Sequence, residues 1–291
     1  MLTLRTSHEA NVGRAAPVFD HQDEFVDHSG YVQQLFETPS LCGMEINRLR
    51  IQAKKQTILS VPELRLPKTG VVSFMGPSGS GKSTLLKALS ELLDDNLDYE
   101  GEVSINGLGE QKPRRKRCSQ YAMVWQRPTV FPCSIWDNLK IPLRKRKVER
   151  GEWLKMMEIA LEKTGLLDEL QPHWWKQRAQ QLSGGQQQRL SIAMGLLKDA
   201  CVFLFDEPTS ALDPLSTEKV EHIISDLGYT KLVLLVTHSL GQARRVSDYC
   251  GMFYNNGDHG VLCEFSACEA FFEKPASPKS REFIRHETGI R

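Results

Sequence analysis

No apolar stretch in this sequence approaches the roughly 18 to 20 residues that a membrane-spanning helix requires. The longest runs, such as Leu232 to Val236, are strand-sized, so the chain is not expected to cross a bilayer. The N-terminal stretch through Phe25 also lacks an apolar run followed by a small-residue cleavage site, which predicts a protein of the cytosol. Excess charge of either sign is missing. Against 37 Lys and Arg stand 36 Asp and Glu, and a net charge of +1 gives no reason to expect a nucleic acid as partner. The seven cysteines, Cys42, Cys118, Cys133, Cys201, Cys250, Cys263 and Cys268, contain no CxxC pair. That argues against a zinc site and for reduced thiols. Aromatic residues are absent from the whole interval between Phe36 and Phe74.

What is present is ordinary globular material: 291 residues, 40% hydrophobic and 25% charged, enough for a substantial core. Residues 1–43 are polar and aperiodic and read as an extension outside the folded domain of residues 44–286. From Met44 a β-prone run begins with Ile46 and Leu49, and Pro62 and Pro67 bracket a short segment, Glu63 to Leu66. A small β-layer is the expectation. Val71 to Met75 then reads as a buried strand, followed by a Gly-rich turn and a helix carrying Leu85, Leu86, Leu89, Leu92 and Leu93. Trp153, Met157 and Leu161 recur every fourth residue, predicting a helix that ends near Gly165 within an inserted helical subdomain, about residues 127–186. Helix-patterned Leu190, Ala193, Met194 and Leu197 lead to the strand Cys201 to Phe205. Asp213 offers an N-cap with Pro214 in the first helical position, and Val220, Ile223, Ile224 and Leu227 run on to a terminating Gly228. Leu232 to Val236 is another buried strand. The alternation predicts an α/β fold with a largely parallel sheet.

Three motifs carry chemistry. Gly76-Pro77-Ser78-Gly79-Ser80-Gly81-Lys82-Ser83, followed by Thr84, is a phosphate-binding loop in its required strand-to-helix setting. Its glycines let backbone N–H groups converge on phosphate oxygens, and the following helix presents the positive end of its dipole. Lys82 would neutralise the β- and γ-phosphates, and Ser83 would ligate Mg²⁺. Asp206 and Glu207 end the Cys201 strand at the carboxyl edge of the sheet, where ligands of such folds bind. Asp206 would hold Mg²⁺, and Glu207 would orient the attacking water or accept its proton. Leu182-Ser183-Gly184-Gly185-Gln186-Gln187-Gln188-Arg189 combines a capping-box pattern with open backbone N–H groups, a second anion site at a helix start.

Together these runs resemble the ATP-binding cassette (ABC) ATPases, from about residue 44 to the C-terminal segment. The resemblance implies a P-loop NTPase core of the RecA-like kind with an antiparallel β-layer and an inserted helical subdomain. It implies ATP and Mg²⁺, and two subunits joined head to tail so that Leu182, Ser183, Gly184, Gly185 and Gln186 of one close on the phosphates held by the other. It maps Gln126 to the hinge glutamine that senses Mg²⁺ and the membrane partner. Asp213 maps to the loop between subunits, and His238 to the γ-phosphate contact. The family's adenine-stacking aromatic, expected near Ala53, Lys54 and Lys55, is missing. Base contact would then fall to an aliphatic residue, a lysine stem or the extension.

Met123-Val124-Trp125-Gln126-Arg127-Pro128, Phe131-Pro132, Ser134-Ile135, Asp137-Asn138 and Arg245 to Tyr249 resemble the phosphate-import branch of this family. The implied partners are a paired ATPase subunit, integral permease subunits and, indirectly, an external phosphate-binding protein, with this chain peripheral on the cytoplasmic face of the cell membrane. An importer for another solute, an exporter, or a soluble nontransport cassette protein remain the alternatives. The basic runs Lys112 to Arg117 and Arg144 to Lys147 are of the kind that is usually solvated surface, and they also suit anionic lipid headgroups.

Overall fold

The computed structural model describes residues 43–105, 120–146, 148–198 and 200–288. The N-terminal extension and the Lys112 to Arg117 run lie outside the described residues, apart from Gly43. Strand β3 (Gly70–Met75) is buried at every position, as expected of a strand covered on both faces. It lies between β7 (Leu232–Val236) and β8 (Tyr249–Asn255), parallel to both. β7 pairs in parallel with β6 (Val202–Asp206), which pairs in parallel with β5 (Tyr121–Val124). The sheet does not stop at this parallel core. β9 (Gly260–Ala267) turns back antiparallel on β8 and makes a two-residue parallel pairing with β2 (Gln56–Arg65). Through β2 the antiparallel layer of β1 (Met44–Ala53) and β4 (Leu97–Ile105) joins one continuous nine-stranded sheet.

Three local readings are corrected. Pro62 lies inside β2 rather than at the boundary of a short segment. It is accommodated at an irregular stretch where the paired strand has Arg48 at φ 52° and Gly101 approaches the Arg48 carbonyl; a missing N–H is tolerated where the ladder is interrupted. Leu92 and Leu93 are not helical: α1 (Lys82–Leu89) stops at Ser90, and Glu91 takes φ 58°. Gly228 does not terminate its helix. α5 runs Pro214–Thr230 past it, and a Cβ at Gly228 would stand 2.7 Å from Val71 Cγ2. The glycine is there for close helix-to-sheet approach, which a sequence reading confuses with a helix end.

The remaining elements are α2 (Ile135–Leu143), α3 (Trp153–Lys163) and α4 (Gly184–Leu197), then α6 (Leu240–Val246), α7 (Cys268–Glu273) and α8 (Pro278–Thr288). Helix α3 buries Trp153, Met156, Met157, Ala160 and Leu161, the i, i+3, i+4 spacing of one helical face. These pack with Ile135, Leu139 and Leu143 of α2 and with Leu190, Ala193 and Leu197 of α4 in a core of their own. Helix α4 also sends Ile192 to the cluster under the parallel sheet. It is therefore apolar on two sides and bolts the helical layer to the sheet.

Candidate functional site

The Gly76–Lys82 turn takes its shape from backbone that only glycine tolerates. Gly76 has φ 137°, and a Cβ there would fall on the Phe253 carbonyl oxygen. Gly81 has φ 93°, and its Cβ would stand 2.9 Å from Leu59 of β2. The β-layer thus buttresses the loop directly. Lys82 folds its side chain back through the turn, donating from Nζ to the carbonyls of Gly76 and Pro77 at 2.8 Å each. Its ammonium is buried, and burial pushes its pKa down to about 8, with Glu207 and Asp206 opposing. Pro77, Ser78 and Gly79 are exposed along the rim, Ser80 is buried, and Thr84 is half-buried in the first turn of α1.

Ser83 Oγ donates to Asp206 Oδ1 at 2.7 Å. The strand-borne acid is brought to the loop as the sequence implied, and burial holds its carboxyl above the usual range. Glu207 sits one residue beyond β6 with φ 47°, a left-handed conformation that costs a non-glycine residue about 1 to 2 kcal/mol. Its backbone N–H donates to Val236 O at 2.9 Å. Its carboxylate meets His238 Nε2 at 2.7 Å through Oε1 and accepts from Gln126 Nε2 at 3.3 Å through Oε2. Gln126 also donates to Ser210 Oγ at 3.1 Å. Ser210 opens the Ser210 to Asp213 loop in which the resemblance places Asp213, but its contact with Gln126 is not legible in the sequence, because the two lie 84 positions apart. Lys82, Ser83, Asp206, Glu207, His238 and Gln126 therefore converge from four separate segments on one edge of the sheet. A hydroxyl, a carboxylate and an amide beside a phosphate cradle form a hard-oxygen donor set that fits Mg²⁺ held largely by phosphates and water. Among the described residues no cluster of three or more His, Cys, Asp or Glu could hold a metal alone.

The second motif lies elsewhere in the chain. Ser183 caps α4 in a complete capping box: Gln186 N–H donates to Ser183 Oγ at 3.3 Å, and Ser183 N–H donates to Gln186 Oε1 at 3.0 Å. Leu182 is buried beneath it. Gly184 faces open space, whereas Gly185 abuts Ser216 of α5. Glu169 braces this helix start. It accepts from Gln186 at 3.2 Å and from Arg189 at 3.0 and 2.6 Å, and it pairs with Lys219 of α5. The Arg189 hydrogen bond, with those of Lys219 and Gln186, pulls the Glu169 pKa down to about 2. Asp213 caps α5, accepting from Ser216 N–H at 3.0 Å, and that bond holds its carboxyl below the usual range. Among the described residues no hydrogen bond joins Ser183–Gln186 to the Gly76–Thr84 loop of the same chain. The hairpin tip where an adenine-stacking aromatic was expected is a two-residue turn of Lys54 and Lys55, both at positive φ.

A family model described as ABC transporter matches residues 59–210, and the chain belongs to the ATP-binding subunits of the ABC transporter family. ATP binding and the α/β P-loop architecture go with that membership. Among its relatives is the phosphate import ATP-binding protein PstB 2 of Aliivibrio fischeri, 39% identical over 85% of this chain and 91% of that protein. Proteins named PstB 1 from Nitrosococcus oceani and Vibrio cholerae are each 36% identical, over 84% and 87% of this chain and 91% and 93% of theirs. The fold is similar to that of cbiO1 from Clostridium perfringens, part of the ABC transporter complex cbiONQ. The TM-score is 0.67 at 21% identity, covering 87% of this chain and 100% of that one. No helix among the described residues is long and apolar enough to cross a membrane.

The buried ammonium has a measurable consequence. With a folded-state pKa of about 8 against 10.5, the unfolded chain binds more protons than the folded one between those values, so stability rises with pH across that window. Triphosphate oxygens favour the charged lysine. Binding of a nonhydrolysable ATP analogue at pH 8 is therefore expected to take up about half a proton per site, and much less at pH 7. Calorimetry in buffers of different ionisation enthalpy reads this directly; a binding enthalpy independent of buffer at pH 8 would contradict it.

Proposed function

We propose that the chain is the ATP-hydrolysing subunit of an importer for inorganic phosphate, lying against the cytoplasmic face of the membrane. The observation that carries the chemistry is Glu207, held by His238 at 2.7 Å and by Gln126 at the mouth of the phosphate loop. In this reading the loop N–H groups and Lys82 hold the β- and γ-phosphates, exchanging the lysine's bonds to Gly76 and Pro77 for stronger charge-assisted ones. Ser83, Asp206 and Gln126 hold Mg²⁺, which when bound neutralises charge on the phosphates. Glu207 orients the water for in-line attack and takes its proton, while His238 contacts the γ-phosphate and fixes the Glu207 carboxylate.

Two copies act head to tail. The open face at Ser183 and Gly184 of one covers the phosphates in the loop of the other, and Asp213 stands at the boundary between them. Binding of two ATP closes the pair, and hydrolysis lets it reopen. Gln126 lies next to a cleft of about 500 Å³ between sheet edge and helical layer, lined by Trp125, Phe131, Ile141 and Met194 among others. Phe131 and Ile141 are exposed there, an apolar seat suited to a cytoplasmic segment of the permease. Cargo rests on the relatives' names, since no residue of this subunit would touch it. Deleting the gene should abolish high-affinity uptake of labelled phosphate, and the protein should copurify with an integral permease. Intact phosphate uptake with loss of another solute's would overturn the cargo assignment.

A further inference from the structure

Glu207 and His238 lie just past the ends of β6 and β7, which pair in parallel as far as Asp206 and Val236; beyond that ladder the two segments meet through those side chains and one main-chain contact, Glu207 N–H to Val236 O. A third side chain ties them together from behind. Gln242 of α6 is buried, and its Nε2 donates to Thr209 Oγ1 at 2.9 Å, two residues past Glu207. The helix that carries it starts at the His238 turn: Ser239 caps α6, its Oγ accepting from Gln242 N–H at 3.1 Å, and Ser239 N–H donates to Thr237 Oγ1 across His238 at 3.0 Å. The Gln242 side chain thus joins the Glu207 loop to the helix that continues from His238. The orientation of the amide is not arbitrary. Nε2 also donates to Glu221 Oε1 of α5 at 3.3 Å, and turning the amide over would set two oxygens against each other. Glu221 is in turn gripped by Arg245 in a bidentate pair, Nε at 2.9 Å and Nη2 at 2.7 Å.

Gln242 Oε1 has no hydrogen-bond partner although it is buried. A buried amide with one unmet end, beside a buried carboxylate, is costly where an apolar side chain would fill the same space. Such an arrangement persists where geometry matters more than stability.

We propose that Gln242 is a positioning residue for phosphoryl transfer: held by Glu221 and Arg245, it sets the separation of the Glu207 loop and the His238 segment. The inference rests on the assignment of Glu207 and His238 given above. It acts on the transition-state arrangement and leaves the phosphate loop untouched, so its loss separates turnover from binding.

In the full-length chain, Gln242→Met is expected to lower kcat roughly tenfold or more while KM for ATP changes by less than about twofold. Thr209→Val should do the same from the other end of the bond. Thr209→Ser, which keeps the hydroxyl, should restore most of the lost turnover. The double variant should be no worse than the more severe single one. Wild-type kcat in Gln242→Met, additive losses, or equal impairment by Thr209→Ser and Thr209→Val would overturn the proposal. So would a fall in ATP affinity in step with kcat. If Gln242→Met does not fold, the two Thr209 variants decide. Glu207→Gln run alongside distinguishes the two levels: turnover surviving that change sinks the assignment of Glu207, whereas turnover lost there but kept in Gln242→Met sinks only the role of Gln242.

Discussion

Glu207→Gln is expected to reduce ATP turnover by about two to four orders of magnitude while leaving nucleotide affinity within a few-fold of wild type. The amide is isosteric, so it fits the same space beside His238 and Gln126, 2.7 and 3.3 Å away in the native chain. What it cannot do is accept the water's proton. The triphosphate then stays bound and the closed pair accumulates, visible as an ATP-dependent dimer in size-exclusion chromatography. Substantial turnover in this variant would remove Glu207 from the reaction.

Lys82→Ala has the opposite signature. The native ammonium is buried and bonded to two loop carbonyls; on binding it would face the β- and γ-phosphates, where a charge-assisted contact to each contributes far more than a neutral one. ATP affinity is expected to fall by about ten- to a hundredfold or more, with the proton uptake at pH 8 disappearing as well. Unaltered affinity in equilibrium binding would contradict the loop assignment. The carbonyls of Gly76 and Pro77 lose their donor in the variant; Pro77 lies at the exposed rim, where water replaces it, whereas the Gly76 carbonyl is buried, so some loss of stability is expected beside the loss of affinity.

The phosphate loop was legible because its requirements are local. Strand, glycines at φ 137°, 79° and 93°, and helix start follow one another in eight residues. The capping box at Ser183 is legible for the same reason, and so is the Asp213 cap. Misread were positions where tertiary proximity decides. Gly228 answers to Val71 across a helix–sheet contact, and Pro62 to an interruption in the neighbouring strand. The brace of Glu169 by Arg189 and Lys219, and that of Gln242 by Glu221, join residues 20 to 50 positions apart. No periodicity announces such pairs. What the residues alone do not carry is the expectation, implied by the resemblance to a family, that the helix start at Ser183 serves a phosphate loop in another copy.

That composite site is tested most directly by complementation. Lys82→Ala spoils a subunit's loop but spares its Ser183 face; Ser183→Arg does the reverse. Each variant alone should be inactive. In an equal mixture half the dimers are mixed, and each mixed dimer regains one intact site of two, so turnover is expected to return to about a quarter of wild type if the sites act independently. A mixture no more active than its separate components would contradict a site that is shared between two copies and turns over without its twin.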